Sequence, residues 1–414
     1  MSDDRRRSFR ADASGASDSD AAFERVRSAV ETRLDARAAD AFVHVGDRFD
    51  DLLRHLTRFS GPDRDYAVVY ADGRAVLCAP RLFAEQARRE FPGDVRTAAG
   101  QDGTTAAERA TETLQEFDGV ERLLVPGSAP YDAVSTLAET FAVATTDADF
   151  GRARKTEAER DRIAAVQAAA RRGMARAEAV LADATPGTEE VFRDGEPLTT
   201  ERLRREVNAV LAGSGVRSAG NTVVGAGPTC ADLHFTGDAE IRPGETVLLD
   251  LSPRGPAGYY GDCTRTFVVG PLGEWEQAAY DAVCDAQDAA FAVLDGGAGT
   301  RASAVHERAT DVLGDHGFDS GAVEVGMYHG TGHGVGRSLH EAPSLSSDAE
   351  LEAGNVVTVE PGVYDPDRGG VRIEDLVVVT ESGYENLTDY PRCWRPSSDL
   401  ERRETGRGPD VTTQ

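Results

Sequence analysis

Pro243-Gly-Glu-Thr-Val-Leu-Leu-Asp250 and Ala353-Gly-Asn-Val-Val-Thr-Val-Glu360 carry one pattern twice. In each, a turn glycine stands six residues before a carboxylate, and the apolar residues between them read as a buried strand with the acid at its far end. A second carboxylate follows in both. Asp262 comes 12 residues after Asp250 and Glu374 comes 14 after Glu360, each opening another apolar run. Two hairpins therefore present two carboxylates each.

Upstream the likeness continues in the same order. A predicted helix ending in Ala-Val-Leu at 179–181 leads to Pro186-Gly-Thr, and another ending in Ala-Val-Leu at 292–294 leads to Ala298-Gly-Thr. Second helices then close at glycines, in Val-Leu-Ala-Gly-Ser-Gly215 and Val-Leu-Gly-Asp-His-Gly317, and the first copy carries an insertion near Phe192 to Leu198. Short apolar runs resemble one another by chance, but a shared order at a nearly constant offset of about 110 residues favours internal duplication.

A lone Asp at a strand end is ordinarily a cap or a solvated group. Four acids at repeat-related strand ends, buried together, would repel one another and so need a cation or shared protons. A nitrogen ligand is at hand in His329-Gly-Thr-Gly-His333-Gly-Val-Gly-Arg-Ser-Leu-His340-Glu-Ala-Pro343, which holds three of the chain's eight histidines. Glycines at 330, 332, 334 and 336 fit neither the dinucleotide nor the P-loop spacing, and close packing around a metal is the expectation for them. One imidazole with four carboxylates makes a hard, oxygen-rich site suited to Mn²⁺, Co²⁺, Fe²⁺ or Zn²⁺, unlike a thiolate zinc site.

At 414 residues the chain exceeds what one hydrophobic core usually supports. Residues 21–152 alternate helical and strand periods, with a hairpin signal at Asp72-Gly73, and read as a smaller α/β domain. Thr156-Glu-Ala-Glu159 is a capping box opening a long Ala/Arg helix to about Ala182, so the second domain is placed at 153–396. Residues 1–20, polar after Arg5-Arg6-Arg7, and residues 397–414 read as tails, the first of them disordered.

Acidic residues outnumber basic ones 72 to 45, for a formal charge of -27, which opposes nucleic-acid and anionic-membrane binding. Lys155 is the chain's only lysine. Such a composition fits solubility in concentrated salt, as in halophiles, or the codon bias of a GC-rich genome. Five scattered cysteines without a C-x-x-C pair indicate a reducing cytoplasm, and no apolar run reaches membrane-spanning length.

From Arg154 to Trp394 the sequence resembles the pita-bread metallopeptidases, which include methionine aminopeptidase, Xaa-Pro aminopeptidase and prolidase. The resemblance implies an α+β fold: a pita-bread catalytic domain with internal duplication, preceded by a smaller α/β creatinase-like domain. It implies two divalent ions, Mn²⁺ foremost, with Asp250 on one, Asp262 and Glu374 bridging both, and His333 with Glu360 completing the other. Two such ions would activate water and polarise a scissile carbonyl, with Glu360 shuttling the proton. Thr264 resembles a threonine that supports this centre, and Tyr364 follows Glu360 as in Xaa-Pro aminopeptidases. The span from Asp250 to Asp262 is one residue longer than is usual in the family.

His234 matches the histidine placed over the substrate's reacting end. His329 and Arg372 resemble the proline-selective branch, in which His329 and His340 orient the substrate and Arg372 anchors a carboxylate or holds Glu374. The implied substrate is a peptide with proline at its second position, cleaved by an Xaa-Pro aminopeptidase or dipeptidase, and the implied assembly is a homodimer. Rival readings are the same fold acting on a non-peptide amide, as creatinase-like and ectoine-hydrolase-like relatives do, and a catalytically silent binding module.

Overall fold

The computed structural model describes residues 15–97 and 104–401. The chain divides into two compact units, with one ending at Arg152 and the other beginning at Ala153.

In the N-terminal unit the elements run α1 (Gly15–Arg37), β1 (Ala41–Gly46), α2 (Asp51–Thr57), β2 (Tyr66–Ala71), β3 (Arg74–Cys78), α3 (Ala84–Glu90), β4 (Asp94–Arg96), α4 (Ala106–Leu114), β5 (Arg122–Pro126), α5 (Tyr131–Ala138) and β6 (Ala142–Thr146). They build a six-stranded mixed sheet of order β4-β3-β2-β1-β5-β6. Asp72 and Gly73 take φ of 48° and 67°, the left-handed pair that a two-residue hairpin needs, and pair Ala71 with Arg74. Strand alternation then sends Tyr66, Val68 and Tyr70 into one core and Ala67, Val69 and Ala71 into the core on the other face.

Of the N-terminal tail read at residues 1–20, positions 15–20 belong to helix α1, which starts at Gly15. The remainder of that reading, residues 1–14, lies outside the described residues, as do 402–414 of the second tail. Residues up to Glu401 are docked: Ser397 N–H donates to Glu178 Oε1 at 2.9 Å, and Arg176 Nη1 pairs with Glu401 Oε1 at 3.1 Å.

The C-terminal unit opens with α6 (Glu157–Ala182), whose N-terminus is closed reciprocally: Glu159 N–H donates to Thr156 Oγ1 at 3.3 Å and Thr156 N–H to Glu159 Oε2 at 2.9 Å. A small sheet of β7 (Thr185–Pro186), β8 (Val191–Arg193) and β9 (Glu196–Pro197) forms the insertion, followed by α7 (Thr200–Gly213), β10 (Thr222–Ala226), β11 (Thr246–Leu251) and β12 (Cys263–Val268). The second half repeats the plan with α8 (Glu274–Leu294), α9 (Ala302–Asp315), β13 (Val356–Val359), the hairpin β14 (Gly362–Asp365) and β15 (Gly369–Arg372), β16 (Asp375–Thr380) and β17 (Gly383–Asn386).

The halves correspond: β11 pairs antiparallel with β12, and β13 with β16. Val247, Leu249 and Leu251 of β11 enter a core with α6 and α7, while Val357 and Val359 of β13 enter another with α8 and α9. Period-two alternation therefore turns Asp250 and Glu360 to the faces away from those helices, toward each other's half.

The single lysine is buried. Lys155 Nζ lies 2.7 Å from Glu341 Oε1, with side-chain exposures of 2% and 6%. Glu341 in turn accepts Ser338 N–H at 3.3 Å and closes a turn with Gly334, so the pair anchors the histidine-bearing loop. Lys155→Met is expected to destabilise the protein by about 3–5 kcal/mol, because it strands a buried carboxylate. Urea unfolding checks this, and Lys155→Met/Glu341→Leu should recover part of the loss.

Candidate metal centre

Asp250, Asp262, His333, Glu360 and Glu374 all line one cavity of about 540 Å³ in the C-terminal unit, together with His234, His329, His340 and Arg372. The ligand atoms of Asp262, His333 and Glu374 lie within 4.8 Å of one another. Asp250 joins them from one side through Ser252, and Glu360 from the other, with its Oε1 3.3 Å from His333 Nε2.

Each acid is placed by its own support. Gln167, fully buried on α6, grips the backbone of Asp262 from both sides: its Nε2 donates to Asp262 O at 2.6 Å and its Oε1 accepts Asp262 N–H at 2.7 Å. Thr264 Oγ1 donates to Glu374 Oε2 at 2.7 Å, and Glu374 N–H to Thr264 O at 3.1 Å, which joins the two halves directly. Thr358 Oγ1 donates to Glu360 Oε1 at 3.2 Å. Beneath them the buried Arg265 binds Glu374 O at 2.7 Å and Asp375 Oδ1 at 2.7 Å.

Arg372 meets a carboxylate of the protein itself, that of Asp250. Its Nη2 meets Asp250 Oδ2 at 2.8 Å, its Nη1 donates to Tyr364 Oη at 2.9 Å, and its Nε points to Thr264 Oγ1 at 3.3 Å. It holds Asp250 rather than Glu374, and its fork is occupied by protein groups. Arg372 ends β15 and reaches across to Asp250 on β11.

The imidazoles have defined tautomers. His333 Nδ1 faces Gly334 O at 3.1 Å, and a carbonyl can only accept, so Nδ1 carries the hydrogen and Nε2 keeps a lone pair. That lone pair looks at Glu360 Oε1 and, at 3.9 Å, at Asp262 Oδ2. His329 Nδ1 donates to Gly330 O at 2.7 Å by the same reasoning, so its Nε2 accepts from Tyr364 Oη at 2.8 Å. Burial pushes both histidines toward the neutral form. His340 faces the cavity with its ring centroid 4.1 Å from that of His333, and partial desolvation, followed by the neighbouring His333, lowers its pKa as well. His234 is exposed at the cavity wall, not a buried structural group.

The electrostatics are those of a cation site. Burial, then the charges of Glu374, Asp250 and Glu360, push the Asp262 carboxyl well above the usual carboxylate range. Glu374 is pushed up by burial, then by Glu360 and Asp250, and Glu360 is raised chiefly by burial. Oxygen and nitrogen lone pairs thus converge on a common space, with one guanidinium against four carboxylates in the cavity lining. The donor set fits hard divalent cations.

The loop glycines serve a different purpose from the expected packing around a metal. A Cβ on Gly332 would stand 2.0 Å from Thr358 O, one on Gly334 2.3 Å from Ala342 O, and one on Gly336 2.2 Å from Glu341 Oε1. Backbone approach excludes side chains at Gly332 and Gly334, and the Glu341 carboxylate fills the space at Gly336.

The long span between Asp250 and Asp262 folds as a turn docked on this loop. Tyr260 N–H donates to Gly336 O at 2.9 Å, Arg337 Nη1 to Ala257 O at 2.8 Å, and the Arg337 guanidinium lies 4.4 Å from the Tyr259 ring centroid. Gln167, Ser252 and the Lys155–Glu341 pair escape motif reading, since nothing local in the sequence distinguishes them from ordinary helix, loop or surface residues.

Comparisons with known proteins agree with this architecture. The model of metallopeptidase family M24 matches residues 161–381. The probable dipeptidase PepE of Mycobacterium bovis is 34% identical over 196 residues, covering 47% of this chain, which spans only about half (50%) of that relative's length. An uncharacterised peptidase of Bacillus subtilis, YqhT, is 31% identical over 354 residues, 82% of this chain and 92% of its own. Among solved structures, the Xaa-Pro dipeptidase from Bacillus anthracis superimposes with a TM-score of 0.76 at 27% identity, over 90% of this chain and 98% of that one. With the duplicated halves, the carboxylate-facing strands and the family match extending over both, the chain belongs to metallopeptidase family M24.

Proposed function

We propose that this protein is a dinuclear metal-dependent peptidase that hydrolyses Xaa-Pro bonds. The observation that carries the reading is the bare Nε2 of His333, whose ring is held through Nδ1–H by the Gly334 carbonyl, facing Glu360 and Asp262 beside the raised Glu374. In this reading Asp250, Asp262 and Glu374 hold one ion, and Asp262, Glu374, His333 and Glu360 the other. When bound, such ions supply Lewis acidity toward water and the scissile carbonyl. Mn²⁺ and a homodimer belong to the same proposal, and the likeness to the Xaa-Pro dipeptidase from Bacillus anthracis supports the Xaa-Pro preference.

The protein's own groups divide the remaining work. Glu360, desolvated and tethered by Thr358, receives a proton from the attacking water and returns it to the leaving nitrogen. An Xaa-Pro nitrogen bears no hydrogen before cleavage, so the returned proton is what lets the proline leave as an amine. His329, neutral and aligned through Tyr364 to Arg372, orients the substrate, while His234 and His340 offer further imidazoles from the cavity wall.

Purified protein stripped of metal and then given Mn²⁺ should cleave Xaa-Pro dipeptides or Xaa-Pro-Yaa tripeptides, in low or high salt, and spare controls without proline. Absence of metal-dependent cleavage at every Xaa-Pro bond would overturn the proposal. Glu360→Gln should lower kcat by about 10²-fold or more. His329→Ala is expected to narrow the ratio of kcat/KM between proline and non-proline substrates while leaving Mn²⁺ binding intact.

The raised carboxyls also set a pH dependence. Asp262 and Glu374 keep protons at higher pH than ordinary acids in the stripped protein, and an incoming cation must displace them. Mn²⁺ affinity should therefore strengthen as pH rises and these groups ionise, with protons released on binding. Calorimetry in two buffers of different ionisation enthalpy measures that release.

A further inference from the structure

Ser252 stands two residues after Asp250, where the chain leaves β11, and is 4% exposed. Its hydroxyl oxygen lies 3.0 Å from Asp262 Oδ1 and 3.3 Å from Asp250 Oδ1. The opposite oxygens of both acids are directed elsewhere: Asp250 Oδ2 toward Arg372 and Asp262 Oδ2 toward His333. Ser252 therefore touches the Asp262 oxygen turned away from His333 and the Asp250 oxygen not held by Arg372. Its backbone is held there, with its N–H directed to Asn221 O at 3.3 Å and the next residue accepting Gly261 N–H at 3.0 Å.

A hydroxyl has one proton for these two acceptors. With both acids ionised, one of the two oxygen–oxygen contacts is left without a hydrogen bond, and a cation drawn to the same oxygens relieves it. The duplication makes the feature one-sided. In the second half the equivalent residue, two after Glu360, is Gly362, where a Cβ would meet Tyr364 Oη at 2.4 Å. Thr358, the hydroxyl on that side, touches Glu360 alone among these acids.

We propose that Ser252 is a positioning residue that secures the ion shared by Asp250 and Asp262 without supporting the ion on the His333 side. The two sites of the centre consequently differ in affinity for a reason built into one half of the duplication. This rests on the dinuclear reading above.

The test titrates Mn²⁺ alone into the metal-stripped full-length protein by calorimetry, for the parent, Ser252→Ala and Ser252→Thr. The parent should show two binding events. Ser252→Ala should weaken one of them about 10- to 100-fold and leave the other unchanged, as removal of an outer hydrogen bond to a ligand does. Ser252→Thr, which keeps the hydroxyl, should restore it. Circular dichroism melts of the stripped proteins check the fold. If the Ala variant melts below the assay temperature, Ser252→Val against Ser252→Thr makes the same comparison at nearly equal volume. Equal affinity for both ions with and without the hydroxyl overturns the role of Ser252 alone. A parent that binds no Mn²⁺ overturns the dinuclear reading together with it.

Discussion

Repulsion among four carboxylates gathered in one cavity is the constraint on which the C-terminal unit depends. Left to themselves these groups would turn outward to water, since burying several like charges costs more than any single contact returns. Each is instead restrained by a different element: Asp250 by Arg372, Asp262 by Gln167 through its backbone, Glu374 by Thr264, and Glu360 by Thr358. Burial, and then the repulsion that persists, raise the pKa values of Asp262 and Glu374. That repulsion is also the source of cation affinity.

Duplication supplies the geometry economically. Each half covers the outer face of its strands with a helix pair and turns its acid-bearing face inward, so two half-sites close into one. The seam is hydrogen-bonded rather than merely packed: Thr264 meets Glu374, Thr266 meets Arg372, and Arg265 reaches Glu374 and Asp375. Divergence between the halves then distributes labour. The second half grew a hairpin, β14–β15, that delivers Tyr364 and Arg372, whereas the first folded its long turn against the histidine loop and placed Ser252 between two acids.

Much of this was legible before any coordinates. The turn glycines, apolar runs and terminal acids at 243–250 and 353–360 sufficed for the strands and their carboxylates, because strand alternation is a local property. The Asp72-Gly73 hairpin and the Thr156–Glu159 cap were equally local and folded as read. Supports drawn from distant parts of the chain were not legible. Gln167 lies 95 residues from the Asp262 backbone it grips, and Lys155 is far along the chain from the Glu341 it neutralises. The start of α1 at Gly15 and the docking of 397–401 also escaped composition, which reports solubility rather than attachment.

The sequence by itself determined which residue types occupy the strand ends, their duplicated spacing and the glycine-rich histidine loop, since periodicity and turn chemistry act over a few residues. Only the tertiary structure decided which acid Arg372 holds, which nitrogen of His333 is bare, and why the loop glycines cannot be replaced. Those outcomes depend on where backbones from separate segments meet and on which carbonyl lies within reach of which ring. Such proximity arises from packing two halves together, and no local pattern encodes it.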